Sequence, residues 1–176
     1  LLYGPTKKIE PPTKVLNSGL GSDTPGDTSM SIGSLSEDTH DRIFKKTCYN
    51  AHETRIGYGT VKIIDFDLIV DGEVNPHEIK THSDVQLIFK MLFNESLNDV
   101  YIGFSIETVD GTFIFGTNSE ILNMPFLSAD AGKCLAVSLR WKSHLAGGEH
   151  YLSLGCHRYV DGEKYFLDVR NSVAHL

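Results

Sequence analysis

From Tyr49 onward, apolar and polar residues alternate with a period of two. Val85, Leu87, Phe89, Met91 and Phe93 recur at every second position and so belong to one face of a strand. The runs Val100, Ile102, Phe104 and Ile106, then Leu135, Val137, Leu139 and Trp141, then Leu152, Leu154 and Cys156 repeat the pattern. An earlier strand is predicted over residues 59–70, with Ile64, Phe66 and Leu68 inward. Trp141 is in phase with the core and is assigned to it; Cys134 and Cys156 fall inside strands as small core or sheet residues. Asp71-Gly72, Asp110-Gly111 and Asp161-Gly162 each stand between strand-like runs, and Asp-Gly suits the positive φ angles of tight hairpins. About seven strands, turns about every 8–15 residues, no long helical pattern and no internal repeat together predict an all-β fold. The architecture expected is an immunoglobulin-like antiparallel β-sandwich.

The pattern is missing from the first quarter of the chain. Residues 1–47 contain 21 Gly, Pro, Ser or Thr, and of 17 aromatic residues only Tyr3 and Phe44 lie there. Such a stretch buries too little apolar surface to offset its own ordering entropy. Residues 1–47 are therefore read as a linker or arm from an upstream domain, and 48–176 as the sandwich. A short helix is predicted over Ser36–Lys46, with Ser36 as its N-cap and acidic residues in its first turn.

Composition narrows the function classes. With 40% hydrophobic and 22% charged residues the chain is ordinary globular material, and 16 Lys+Arg against 23 Asp+Glu give a net charge of −7. That balance argues against a nucleic-acid partner, whose phosphates reward a basic face. No apolar run approaches the ~18 residues of a membrane span, and no signal peptide is visible. The chain begins at Leu1, as expected of a piece of a longer protein. Three cysteines, Cys48, Cys134 and Cys156, are an odd number without C-x-x-C spacing, which fits reduced thiols in the cytosol and speaks against a zinc site.

Motifs for catalysis are scarce. There is no phosphate-binding G-x-x-x-x-G-K-[ST], no G-x-S-x-G and no H-E-x-x-H, so no catalytic residue, metal or cofactor is expected. His77 and His82 lie in a polar inter-strand stretch, and His144 and His150 flank a Gly-Gly turn; solvated or locally hydrogen-bonded imidazoles account for all four. Glu107 is the first carboxylate to consider for glycoside hydrolysis, and a solvated surface charge is its simpler account.

The remaining chemistry lies on the outward strand faces. With the apolar residues inward, Tyr101, Ser105 and Glu107 point out from one strand, and Ser138, Arg140 and Lys142 from another. Tyr151, Ser153, His157 and Tyr159 point out from a third. If these strands neighbour one another, aromatic rings able to stack on sugar C–H faces stand among polar groups able to bind hydroxyls. Tyr101, Glu107, Arg140, Tyr151, His157 and Tyr159 are thus the candidate carbohydrate-binding residues. The competing class is an interaction or assembly domain without a glycan site, its tyrosine-rich face serving subunit contact.

Three segments add a family resemblance. Arg55-Ile-Gly57-Tyr-Gly59-Thr-Val-Lys-Ile63 resembles the start of the C-terminal domain of Wzt, the nucleotide-binding protein of ABC transporters that export O-antigen polysaccharide. Asp110-Gly-Thr-Phe-Ile-Phe115-Gly116-Thr117-Asn118 resembles that family's D-G-x-x-x-F-G-T-N. Leu145-Ala-Gly-Gly148-Glu-His-Tyr-Leu152-Ser-Leu-Gly155 resembles its L-x-x-G-x-Y-x-L-x-x-G, with His150 in place of the aromatic. The resemblance spans about residues 53–170. It implies an immunoglobulin-like sandwich, a homodimer made by exchanging a terminal strand, and recognition of the capped non-reducing end of a bacterial O-polysaccharide. It further implies an ATPase domain upstream in the same chain, a membrane subunit as partner, and a cytoplasmic place at the inner membrane through the transporter. The exchanged element would be the strand at about Phe166–His175, burying Phe166, with Val169 or Val173, in the partner's core. A phosphate on the cap would look to Arg140, Lys142 and Arg158.

Overall fold

The computed structural model describes residues 35–176, together with the backbone of Leu16–Asn17 (β1). Most of the expected arm therefore lies outside the described residues. The period-two runs become β3 (Val61–Val70), β5 (Asp84–Phe93), β6 (Leu97–Thr108), β9 (Cys134–Lys142), β10 (His150–Val160) and β11 (Glu163–His175). Shorter pieces are β2 (Thr54–Ile56), β4 (Glu73–Val74), β7 (Phe113–Asn118) and β8 (Leu127–Ala129). Pairing is antiparallel throughout the described strands and makes two sheets: β1-β9-β5-β3-β4, and β2-β11-β10-β6-β7 with β8 beside β6.

The core lies between the sheets, where the alternation places it. Phe66, Phe89, Met91 and Phe93 from the first sheet meet Ile102, Ile106, Leu152 and Cys156 from the second, all essentially inaccessible. Trp141 packs against this core, stacked on Phe104 at 4.6 Å. One inward assignment changes. Between Ile63 and Asp65 the register of β3 slips, a bulge that adds a residue to one strand. Ile63 joins Val61 and Phe66 in the core cluster, while Ile64 is buried outside it. Asp71-Gly72 and Asp161-Gly162 both have positive φ and close two-residue hairpins, as expected. At Asp110-Gly111 only the glycine does, within a longer loop tied by the Thr108 N–H to the Thr112 carbonyl.

The helix predicted over Ser36–Lys46 is replaced by a single 3-10 turn, Ile43–Lys45, within a strap that crosses the edge of the sandwich. Ile43 is fully buried in the core. The Arg42 N–H donates to the carbonyl of the bulged Ile64 at 2.7 Å. Lys46 Nζ reaches Asp67 at 2.8 Å and Asp65 at 3.0 Å. Burial alone would lower the Lys46 pKa, but these two carboxylates outweigh it and raise the value. Buried Lys90 donates to the Ser36 and Asp38 carbonyls at 2.7 and 2.6 Å. The local helix signal loses because the apolar side chain and the lysines have better partners on the sheet.

A charge cluster joins the two sheets below the strap. Arg55 forks onto Asp168 with both hydrogen bonds at 2.8 Å, and Asp168 also accepts from the Ile63 N–H at 2.7 Å. Arg170 pairs with Glu53 and Asp41 and donates to the Ile63 carbonyl. Asp168 and Arg170 are 2% and 3% exposed, so each buried charge is compensated by near-ideal partners. Both sit on β11, which pairs with β10 and β2 of its own chain. Leu167 and Val173 of β11 are in the core of this same chain, and Phe166, expected to be buried in a partner, is 47% exposed.

Candidate functional site

The pairing of β6 with β10 decides which predicted residues meet. His157 lies directly opposite Tyr101, and Tyr151 opposite Glu107. Halfway between these pairs, Gly103 faces Gly155, and Ser105 faces Ser153. The outward side of the sheet therefore has a floor without bulk and rings at its ends. Gly116 and Asn118 of β7 flank the floor on one side, and Val169 of β11 on the other. The result is an open trough of about 210 Å³ lined by the glycine floor, Asn118, His157, Lys164, Phe166 and Asn171, among others.

The glycines have separable reasons. A Cβ on Gly103 would lie 2.8 Å from the Thr117 carbonyl oxygen and from the Asn118 Cβ. A Cβ on Gly116 would lie 2.6 Å from the Phe104 carbonyl oxygen. Both are required for β7 to approach β6. A Cβ on Gly155 would meet nothing closer than Val169 at 3.6 Å, an ordinary contact. Gly155 leaves the trough open without being demanded by the strands.

One end of the trough is an aromatic wall. Tyr101 and His157 stack with centroids 5.2 Å apart and planes 12° from parallel. Phe126 meets Tyr101 edge-on at 5.1 Å, and Tyr159 meets both Tyr101 and His157 edge-on at 5.7 Å. The Tyr159 hydroxyl donates to the Glu120 carboxylate, with oxygens at 3.0 and 3.1 Å. The same carboxylate stands 3.7 Å from His157 Nε2, beyond hydrogen-bond distance. Burial, then the nearby charge of Lys164, pushes the His157 pKa below its usual value despite Glu120. Burial and Glu120 raise that of Tyr159.

Five of the six predicted residues share this sheet face. Tyr101, His157 and Tyr159 converge; Glu107 and Tyr151 stand further along, where Ser105 Oγ donates to Glu107 at 3.0 Å and Tyr151 tilts against His175. Arg140 does not join them. Its strand, β9, belongs to the other sheet, where Arg140 donates to Gln86 Oε1 at 3.2 Å. Lys142 lies on β9 too, bonded to Asp84, and Arg158 is held by Asp99, so none of the three cations proposed for a phosphate lines the trough. Sequence reasoning missed the glycine floor, although Gly103 and Gly155 interrupt strong strand patterns, which is itself a sign of close approach. Glu120, Phe126, Lys164 and Phe166 carried no readable signal, because turns and a late bulge bring them in. Among the described residues, no group of three or more His, Cys, Asp or Glu is placed to hold a metal, and no helix is long and apolar enough to cross a membrane.

Fold and site together define an antiparallel β-sandwich domain with an open trough on one sheet. The chain belongs to the Wzt C-terminal domain family, whose model matches residues 52–176. Among solved structures it is similar to one described as the crystal structure of the C-terminal domain of Wzt. That match has 25% identity and a TM-score of 0.76, and it covers 81% of this chain and 87% of that one. No curated protein matches the chain.

Proposed function

We propose that this domain is a non-catalytic carbohydrate-binding module that recognises the modified non-reducing terminus of an O-antigen polysaccharide. In this reading it couples occupancy to export by an ABC transporter, whose ATPase domain lies in the same chain and whose membrane subunit holds the domain at the cytoplasmic face of the inner membrane. The observation that carries the reading is the glycine-floored trough lined by His157, with Tyr101 and Tyr159 packed against that imidazole beyond its end. A flat floor beside half-buried rings admits a sugar ring, and the serines, Asn118 and Glu120 offer hydroxyl partners. Family membership supports the transporter setting. The test titrates the domain by calorimetry with capped and uncapped O-polysaccharide. Preferential binding of the capped form is expected, abolished in Gly155→Val, which fills the floor at a position where a side chain fits the strands. Equal binding of both forms removes terminus recognition, and wild-type-like binding by Gly155→Val removes the trough.

The reading includes a homodimer formed by exchange of β11. Exchange reuses the contacts seen within one chain, and its hinge would be the Asp161-Gly162 turn, leaving Phe166 beside the partner. Tyr151 and His175 are paired in register across β10 and β11. A Tyr151→Cys, His175→Cys double variant is expected to oxidise to a species of twice the mass on a non-reducing gel; a single-chain crosslink refutes exchange.

A further inference from the structure

Among the described residues, two buried side-chain polar atoms have no hydrogen-bond partner, Asp99 Oδ1 and His157 Nε2. Asp99 keeps Arg158 on its other oxygen and is a third exposed. His157 is different: its side chain is 92% buried, it lines the trough, and its unpaired nitrogen is walled by Tyr101, Tyr159, Phe166 and Glu120. A polar atom left buried and unpaired lowers stability and invites an explanation in function. Glu120 supplies one. Its side chain is 42% exposed on the turn after β7 and is held by the Tyr159 hydroxyl, with one oxygen 3.7 Å from Nε2.

We infer that Glu120 and His157 form a receptor for one free sugar hydroxyl, with Glu120 anchored beside His157 by the Tyr159–Glu120 hydrogen bond. This rests on the reading of the trough as a glycan site and states which chemical group that site selects. Nε2 and the carboxylate oxygen are too far apart to bond each other, while a hydroxyl oxygen placed about 2.8 Å from each bridges them. The carboxylate favours the tautomer with the proton on Nε2. Nε2–H then donates to the hydroxyl oxygen, and the hydroxyl hydrogen is donated to Glu120. Each group is used once, and the orphaned nitrogen is paired. The arrangement fits a neutral hydroxyl. An ether or O-methyl group at this point has no hydrogen to give Glu120, and a phosphate or carboxylate would face its negative charge. The cap that marks a finished chain is thus placed elsewhere on the terminal residue, away from this end of the trough. The Tyr159 hydroxyl, bonded to the same carboxylate, holds Glu120 in place for this contact.

The probes are methyl glycosides of mannose, glucose, galactose and rhamnose, with singly deoxygenated and singly O-methylated versions of the best binder and its 6-phosphate. Binding is followed by NMR titration of the full chain, reading the trough residues and the His157 imidazole nitrogens. One deoxy and the matching O-methyl derivative are expected to bind about tenfold or more weakly than the parent, as are Glu120→Ala and His157→Phe acting on the parent sugar. Tyr159→Phe, which keeps the ring and removes the hydroxyl that anchors Glu120, is expected to bind a few-fold more weakly. The His157 Nε2 resonance should move on saturation in wild type and not in Glu120→Ala. Parent binding that persists unchanged in Glu120→Ala and His157→Phe, or tighter binding in Tyr159→Phe, overturns the hydroxyl receptor and leaves the glycan reading standing. A panel that perturbs no trough residue overturns both.

Discussion

His157 lies in register with Tyr101, and the groups that face its imidazole either exclude water or carry charge. Tyr101, Tyr159 and Phe166 are rings, Glu120 is negative and Lys164 positive. Burial leads the balance, so the folded protein holds His157 neutral to a lower pH than the ordinary value of about 6.5. In the window between that value and the lowered folded one, the unfolded chain binds the proton first. The unfolded state then carries more protons, and stability falls as the pH is lowered through the window. His157→Phe removes this one contribution while keeping a ring on Tyr101. The drop in melting temperature from pH 7 to pH 5 is expected to be smaller in the variant than in wild type. An equal drop would mean that the imidazole is not the group that titrates.

Among the elements, β2 depends on a single glycine for its place. Gly57, just past its end, has φ +150°, and a Cβ there would lie 2.3 Å from the Leu167 carbonyl oxygen on β11. Gly57→Ala must therefore push the end of β2 off β11, and with it Arg55 off Asp168. A destabilisation of about 3 kcal/mol or more is expected by urea unfolding, from backbone strain and a disturbed buried ion pair. A variant of wild-type stability would show that the close approach is relieved without cost. The long strands around such points were legible beforehand, because Val85–Phe93, Val100–Ile106 and Leu135–Trp141 each alternate over a half-buried sheet. Their partners were not. Nothing in the alternation of Ser138, Arg140 and Lys142 says that β9 joins β5 rather than β6, so Arg140 was placed with a face it does not share. The bulge after Ile63 was equally hidden, since one extra residue leaves the composition of the run unchanged. That Tyr101, His157 and Tyr159 share an outward face was legible because outward phase within a strand is local information. The place of Glu120 beside them was not, because it depends on where a turn after β7 comes to rest.

Considered whole, the molecule is two sheets whose open edge is closed by the strap. Ile43 is the strap's apolar contribution, while Lys46, Arg42 and the backbone around Ser36 supply its polar hold on β3 and β5. Ile43→Ala is expected to cost about 2–5 kcal/mol, the range for emptying a core aliphatic site. Starting the chain at residue 48 should cost more, because Lys90 and Asp65 would then lose strap partners as well. Chemical denaturation of the two shortened or substituted proteins checks both values. A chain beginning at residue 48 that unfolds like the parent would make the strap an ornament rather than a part of the domain.

The division of labour in the trough has a bearing on how such a site can diversify. Its floor is backbone, and two of its glycines are fixed by strand spacing, so there is almost nothing there to vary without losing the sheet. Beyond its end stand Glu120 and Phe126, half-exposed side chains on the connection between β7 and β8 that take no part in any strand pairing. Inheritance can therefore rewrite what the trough accepts by editing one short connection, while the scaffold stays constant beneath it. Grafting a different segment over residues 120–126, which spares the buried Ser119 bonded to Ile102 of β6, is the corresponding route for engineering a new selectivity into the same frame.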